Sequence, residues 1–239
     1  MYFLYKILTI FKIDFIHIIF TIYKEICMGD IDDDIVEKSF RKIPHIQLRE
    51  RIISINWKLD FVLPYAIRVK EEKLRSFLRQ IKKEDGVNRE KEYKTFMQDM
   101  ENWDNFIASI KCEGITLTEP GIAKIIQSTF NFYDSKLYDL HCYCIMPNHI
   151  HLLIKPLTDE KGESYHLSDI IKRIKTYTAK MINQELKRNG KVWEDDYFDR
   201  IIRNEQDYYN VINYYLKNPV KAGLVDYIKD WEYSYFKFG

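Results

Sequence analysis

Two histidines a single residue apart, His149 and His151, interrupt the apolar run "CYCIMPNHIHLLIKP" (Cys142–Pro156). On an extended strand, residues two apart share a face, so the imidazoles stand side by side. That is a common arrangement for a divalent metal. Two ligands alone hold a metal weakly, and a third protein ligand or a substrate phosphate is needed. The plain alternative is a pair of packed histidines hydrogen-bonded within a sheet. Cys142 and Cys144 alternate in the same way, and the four side chains together could form a zinc set. Against that, cysteines on an apolar strand are more often small core residues, and a turn at Pro147-Asn148 separates the two pairs.

The second group lies in "NYYLKNPVKAGLV" (Asn213–Val225). On a helix, Tyr214 and Asn218 are one turn apart on one face, while Tyr215 points about 100° away. A tyrosine phenol can attack a phosphodiester when a metal polarises the phosphate. An amide oxygen one turn later could complete that metal's ligands. Taken alone, the same residues also read as a core tyrosine and a helix C-cap before Pro219.

The third feature is charge. Between Ile170 and Lys191 stand Lys172, Arg173, Lys175, Lys180, Lys187, Arg188 and Lys191 against the single acid Glu185, with Tyr177 and Trp193 close by. Cations interleaved with aromatics suit phosphates and stacked bases. A solvated helix face is the ordinary alternative.

The elements that must carry these residues follow from periodicity and breakers. "RIISINWKLDFVLP" (Arg51–Pro64) alternates as a half-buried strand does. Helical spacing marks 66–83 and 89–111, separated by "DGVN". A helix begins near Glu119-Pro120 with Thr118 as its cap and ends near Asp134. Two strands flank Pro147. A long helix spans 167–188, capped by Ser168, with Ile170, Ile171, Ile174, Tyr177, Met181 and Leu186 as its apolar stripe. A short strand surrounds Phe198–Ile202, and a helix runs from about Glu205 to Lys217, ended by Asn218-Pro219. The aromatic tail packs back on the body. This order predicts an α+β domain, one antiparallel sheet with helices on one face.

The bulk numbers bound the rest. The chain has 239 residues, 46% hydrophobic and 31% charged, with a net charge of +1. It can bury a core without staples. Near-neutrality means that a nucleic-acid partner must be argued from local charge. Four cysteines without CxxC spacing fit a reduced, cytoplasmic protein. The first 28 residues are rich in Ile, Phe and Tyr, but Lys6, Lys12, Asp14 and Lys24 break the run that a spanning helix needs. A mis-assigned start with Met28 as the true one, or a weakly membrane-associating segment, fits better than a span. Residues 1–45 read as an extension and 46–239 as one domain with a helical insert at about 66–111.

Taken jointly, "MPNHIHLLI" (Met146–Ile154), "IKRIKTYTAKMIN" (Ile171–Asn183), "VWEDDYFDRIIRNEQDY" (Val192–Tyr208) and "YYLKNPVKAGLV" (Tyr214–Val225) resemble the REP-associated tyrosine transposases. These belong to the single-tyrosine HUH superfamily, with its insertion-sequence-200-like transposase domain. "INWKLDFVLP" (Ile55–Pro64) resembles the family's first strand. The resemblance implies a ferredoxin-like antiparallel sheet with helices packed on it and a C-terminal helix carrying the tyrosine. It implies Mg²⁺ or Mn²⁺ held by His149 and His151 and completed by Asn218, with Tyr214 as nucleophile. Single-stranded or hairpin DNA is then cut and rejoined through a 5′-phosphotyrosine, without a nucleotide cofactor.

Lys172, Arg173, Lys175 and Lys180 are the candidate phosphate contacts. Such proteins occur as monomers and dimers, so a homodimer is one expected state, and a membrane partner is not expected. The alternative is a domesticated hairpin-DNA-binding protein with little catalysis. Two departures stand out: the long segment 66–111, and the acidity of "WEDDYFD" (Trp193–Asp199).

Overall fold

A computed structural model of the chain describes residues 35–40, 44–61, 102, 106–108, 110 and 114–238. The segment 1–28 and the two helices expected within 66–111 lie almost wholly outside these residues. Apart from Asn102, the described residues belong to one compact unit, residues 34–61 and 103–239.

Ten elements organise it. Strands β1 (Ile35–Phe40) and β2 (Pro44–Leu48) form an antiparallel hairpin. Then come β3 (Ile53–Lys58), α1 (Pro120–Tyr133), β4 (Tyr138–Ile145), β5 (His149–Pro156), α2 (Leu167–Glu185), β6 (Phe198–Ile201), α3 (Glu205–Lys221) and β7 (Ser234–Phe236). The main sheet has the order β6-β3-β5-β4-β7, and every pair in it is antiparallel. The path β3-α1-β4-β5-α2-β6 with the order β6-β3-β5-β4 is the ferredoxin-like topology. The aromatic tail contributes β7 as a fifth strand on the edge of β4.

The helices do not share one face. Ile53, Ile55 and Trp57 of β3 and Ile150, Leu152 and Ile154 of β5 pack against Ile122, Ile126 and Phe130 of α1 and Ile170, Ile171 and Ile174 of α2. On the opposite face Cys142, Cys144 and Leu153 pack against Val211, Ile212 and Tyr215 of α3. Periodicity shows that a helix has a buried stripe. It does not say which side of the sheet receives it.

A bulge at His141 sets which β4 residues reach α3. Leu140 pairs with Ile154, but Cys142 already pairs with Leu153, so one extra residue is absorbed between them. An extra residue exchanges the two faces downstream. Cys142 and Cys144 thereby join the face of His149 and His151, and Leu140 stays on the other.

The helix ends also differ from local expectation. Neither Thr118 nor Ser168 is a cap: Glu119 and His166 hold those positions without side-chain cap bonds. At the start of α2 the hairpin takes over that role. Gln47 Oε1 accepts from Leu167 N (2.6 Å) and Glu37 Oε2 accepts from Ser168 N (3.2 Å). These are N–H groups that the helix itself leaves unpaired, and the Glu37 carboxylate suits the positive end of the helix dipole.

Helix α3 runs on through Pro219 to Lys221. A proline three residues from a helix end removes one bond, to the carbonyl of Tyr215, while burial of Asn218 and Pro219 under the helix is kept. The helix then closes in a Schellman motif. Leu224 N donates to Pro219 O (2.9 Å), Gly223 N to Val220 O (3.0 Å), and Gly223 takes a φ of +67°.

Candidate functional site

Strand β5 presents His149 and His151 to the α3 face, and each is buried. Their Nε2 atoms stand 3.0 Å apart. Asn218 reaches them from α3, its Nδ2 lying 2.9 Å from His151 Nε2. Because α3 continues past Pro219, Asn218 occupies a helical position facing the sheet, and the C-cap is Ala222. Tyr214, half-buried one turn earlier, sets its ring edge-on to His151 with centroids 5.8 Å apart. The Lys221 ammonium lies 5.2 Å from the centre of the Tyr214 ring.

Tyr215 has a different role from its neighbour. It is 2% exposed, its ring packs against His151 at 4.7 Å, and its Oη is 2.7 Å from Ser54 Oγ. It is a wall behind the histidine, with a phenol already engaged inside the core.

Burial governs the chemistry of the pair. It lowers His149 to about 3, and it lowers His151 well below the ordinary imidazole value, helped by the neighbouring His149. Both rings are therefore neutral near pH 7, the form that binds metals. With His151 Nε2 accepting from Asn218, the ring proton sits on Nδ1, a buried atom for which the described residues offer no hydrogen-bond partner. Two Nε2 atoms converging at 3.0 Å fit a shared cation. Neighbouring corners of an octahedron with bonds of about 2.1 Å lie about 3.0 Å apart. Turning the Asn218 amide over would bring its oxygen to the same point. Among the described residues no three His, Cys, Asp or Glu side chains gather into a metal site, so the available donors are two imidazoles and an amide.

The cysteines do not join them. Burial pushes the Cys142 thiol up to about 12 and the Cys144 thiol well above its usual value. Cys144 Sγ instead contacts Met146 Sδ at 3.9 Å within the apolar cluster.

The basic helix α2 stands across the sheet from the histidines. Lys172, Arg173 and Lys180 are exposed, as is Tyr177, which leaves the buried stripe to Thr178 and Ile182. Thr178 earns its place by accepting from Trp193 Nε1 at 3.0 Å. Lys175 differs from the other three: its Nζ donates to the carbonyls of Glu194 (2.8 Å) and Asp196 (2.9 Å), holding the acidic loop. That is a structural assignment for a residue expected to meet phosphate.

The same loop is gripped from the other side by the hairpin. His45 stacks on Tyr197 at 4.2 Å and donates to Asp196 (3.1 Å) and to Asp199. Burial pulls the imidazole down, but the bonds to Asp196 and Asp199 outweigh it and push His45 up to about 9. Asp196 and Asp199 are thus turned inward, while Asp195 stays exposed beside Lys191, and β1 and β2 are part of the folded body. Local sequence carried no sign of this grip, because its partners are more than 150 positions apart.

Residues 106–219 match the family described as "Transposase IS200 like". Among curated proteins, the chain is 32% identical over 102 residues to one named as a REP-associated tyrosine transposase in Haemophilus influenzae, covering 39% of this chain and 56% of the relative. It is 25% identical over 99 residues to the REP-associated tyrosine transposase of Escherichia coli K12, covering 41% and 54%. The chain thus spans about half the length of the curated relatives it matches. A solved structure of a REP-associated tyrosine transposase bound to a REP hairpin aligns over 83% of this chain and 82% of its own, with a TM-score of 0.44 and 14% identity.

Proposed function

We propose that this chain is a metal-dependent single-strand DNA endonuclease and strand transferase, acting through a 5′-phosphotyrosine on hairpin or palindromic repeat DNA. The observation that carries the reading is the meeting of His149, His151 and Asn218 at one buried point with the Tyr214 ring against it. The names of the matched relatives point the same way.

In this reading Mg²⁺ or Mn²⁺, when bound, supplies positive charge against the scissile phosphate. His149 and His151 would hold it through Nε2, and Asn218 through its amide oxygen. The Tyr214 oxygen attacks phosphorus and loses its proton. The bond from phosphorus to the 3′ oxygen breaks, and that oxygen leaves as a 3′-hydroxyl after taking up a proton. The phosphotyrosine preserves the ester's bond energy, so a later 3′-hydroxyl reverses the step without a nucleotide cofactor. Tyr215 backs His151 and keeps the ring facing the site.

The test is incubation with end-labelled single-stranded hairpin DNA and Mn²⁺. A covalent protein–DNA adduct is expected that disappears in Tyr214→Phe and persists in Tyr215→Phe. An adduct retained by Tyr214→Phe would remove this nucleophile. The second reading, hairpin binding with little catalysis, draws on the exposed Lys172, Arg173, Tyr177 and Lys180, a surface that could hold DNA without the histidine face. Tight hairpin binding with no adduct in the wild-type chain would select it.

A further inference from the structure

We propose that Asn148 is a positioning residue: it fixes the tautomer of His149 and so aims the His149 Nε2 lone pair at the point shared with His151. Its relevance to catalysis rests on the metal reading above; the tautomer itself does not.

Asn148 lies in the turn between β4 and β5 and is 1% exposed. One end of its amide faces two backbone carbonyls, Ile107 O at 2.7 Å and Ile110 O at 2.8 Å. Carbonyls only accept, so that end must be the NH₂ group, whose two hydrogens suffice for both. The opposite end is therefore the oxygen, and it stands 2.8 Å from His149 Nδ1. An oxygen with no hydrogen can only accept there, which requires the proton on His149 Nδ1. A neutral imidazole carries one ring proton, so His149 Nε2 is bare.

The anchor is firm on the main chain as well. Asn148 O accepts from Leu59 N (2.9 Å), and Pro147 O accepts from Leu117 N (2.8 Å). Asparagine suits all of these demands at once. Aspartate keeps the acceptor for His149 but sets a carboxylate against two carbonyls, and alanine removes both functions. Outer partners that orient a ligating histidine commonly change metal affinity by about 10–100-fold.

The experiment uses the full chain. Long-range ¹H–¹⁵N correlation spectra of the metal-free protein report which ring nitrogen of each histidine carries the proton, with His149 assigned through His149→Gln. The wild type is expected to hold His149 in the Nδ1–H form. Asn148→Ala should shift it toward the Nε2–H form and weaken Mn²⁺ binding, measured by calorimetry, by about 10–100-fold. Asn148→Asp should keep the Nδ1–H form. A wild-type His149 protonated on Nε2 overturns the proposal. So does a folded Asn148→Ala that keeps the Nδ1–H form and binds Mn²⁺ as the wild type does. Should the wild type bind no Mn²⁺, the metal reading falls, and the spectra still decide the role of Asn148. If Asn148→Ala does not fold, the wild-type and Asn148→Asp spectra decide it.

Discussion

The two faces of the main sheet are built from the same strands and differ in kind. Toward α1 and α2 strands β3, β4 and β5 send Ile, Leu, Trp and Tyr, and the interface is a continuous apolar core. Toward α3 the same strands send His149, His151, Ser54 and two cysteines, and Asn218 comes down from the helix to meet them. The difference teaches that alternation on β5 separates two tasks at a spacing of one residue. Ile150 and Leu152 hold the fold, while the histidines that alternate with them meet Nε2 to Nε2 in a buried place. Apolar burial gains from any well-packed shape, whereas buried polar atoms need partners in fixed directions.

That contrast can be broken by paired substitutions. Leu152→Ala removes a fully buried side chain and should cost about 2–5 kcal/mol of unfolding free energy. His151→Ala should cost much less, since it also removes a buried Nδ1 that has no partner among the described residues, yet should abolish Mn²⁺ binding. Denaturant melts and calorimetry on both variants check this, and equal stability losses would dissolve the distinction.

The second test separates the outer surface of α2 from the histidine face. Lys172→Ala with Arg173→Ala should lower hairpin affinity and reduce the slope of log K against log salt by about 2. Mn²⁺ binding should be unchanged. An unaltered salt slope would return this helix to a merely solvated face.

The His45 clamp gives a pH test. His45 is raised in the folded chain from 6.5 to about 9, so its contribution is complete below pH 6.5 and is lost as the pH rises through 9. The stability difference between wild type and His45→Gln should therefore shrink between pH 6.5 and 10. A difference that stays flat over that range would mean that the ring is held neutral.

The smallest effect is expected at the end of α3. Gly223→Ala places a side chain at a φ of +67°, with nothing within 4 Å of the added carbon. The cost should be conformational only, about 1 kcal/mol, read as a modest fall in Tm with Mn²⁺ binding kept.

Much of this was legible because strong punctuation brackets it. Pro147 and Pro156 delimit β5, and the observed strand, His149–Pro156, is the expected one. Local periodicity also put His149 with His151 on one strand face and Tyr214 with Asn218 on one helix face, but only the family resemblance implied that the two faces meet, as His151 and Asn218 do. What escaped depended on distant partners. Proline 219 looked like a stop because its cost is local, while the burial that offsets it is not. The caps of α2 are hairpin side chains, so Ser168 looked better than it is. Asn148 stood in a quoted motif, but its role needs two carbonyls about 40 residues upstream. The faces taken by Cys142 and Cys144 turn on one inserted residue, His141, which composition cannot reveal.

The reach of the hairpin also has a consequence for how the chain folds. Gln47 and Glu37 meet α2 across 120 and 131 residues. Closing a loop of that length costs about 4 kcal/mol before its contacts offset it. The local turns of α2 and the β4–β5 hairpin can form early, and β1 and β2, although synthesised before them, dock among the last. Until they do, the leading N–H groups of α2 and the carboxylates of Asp196 and Asp199 wait in water. Refolding should therefore end in a phase that orders this corner of the molecule after the sheet is complete.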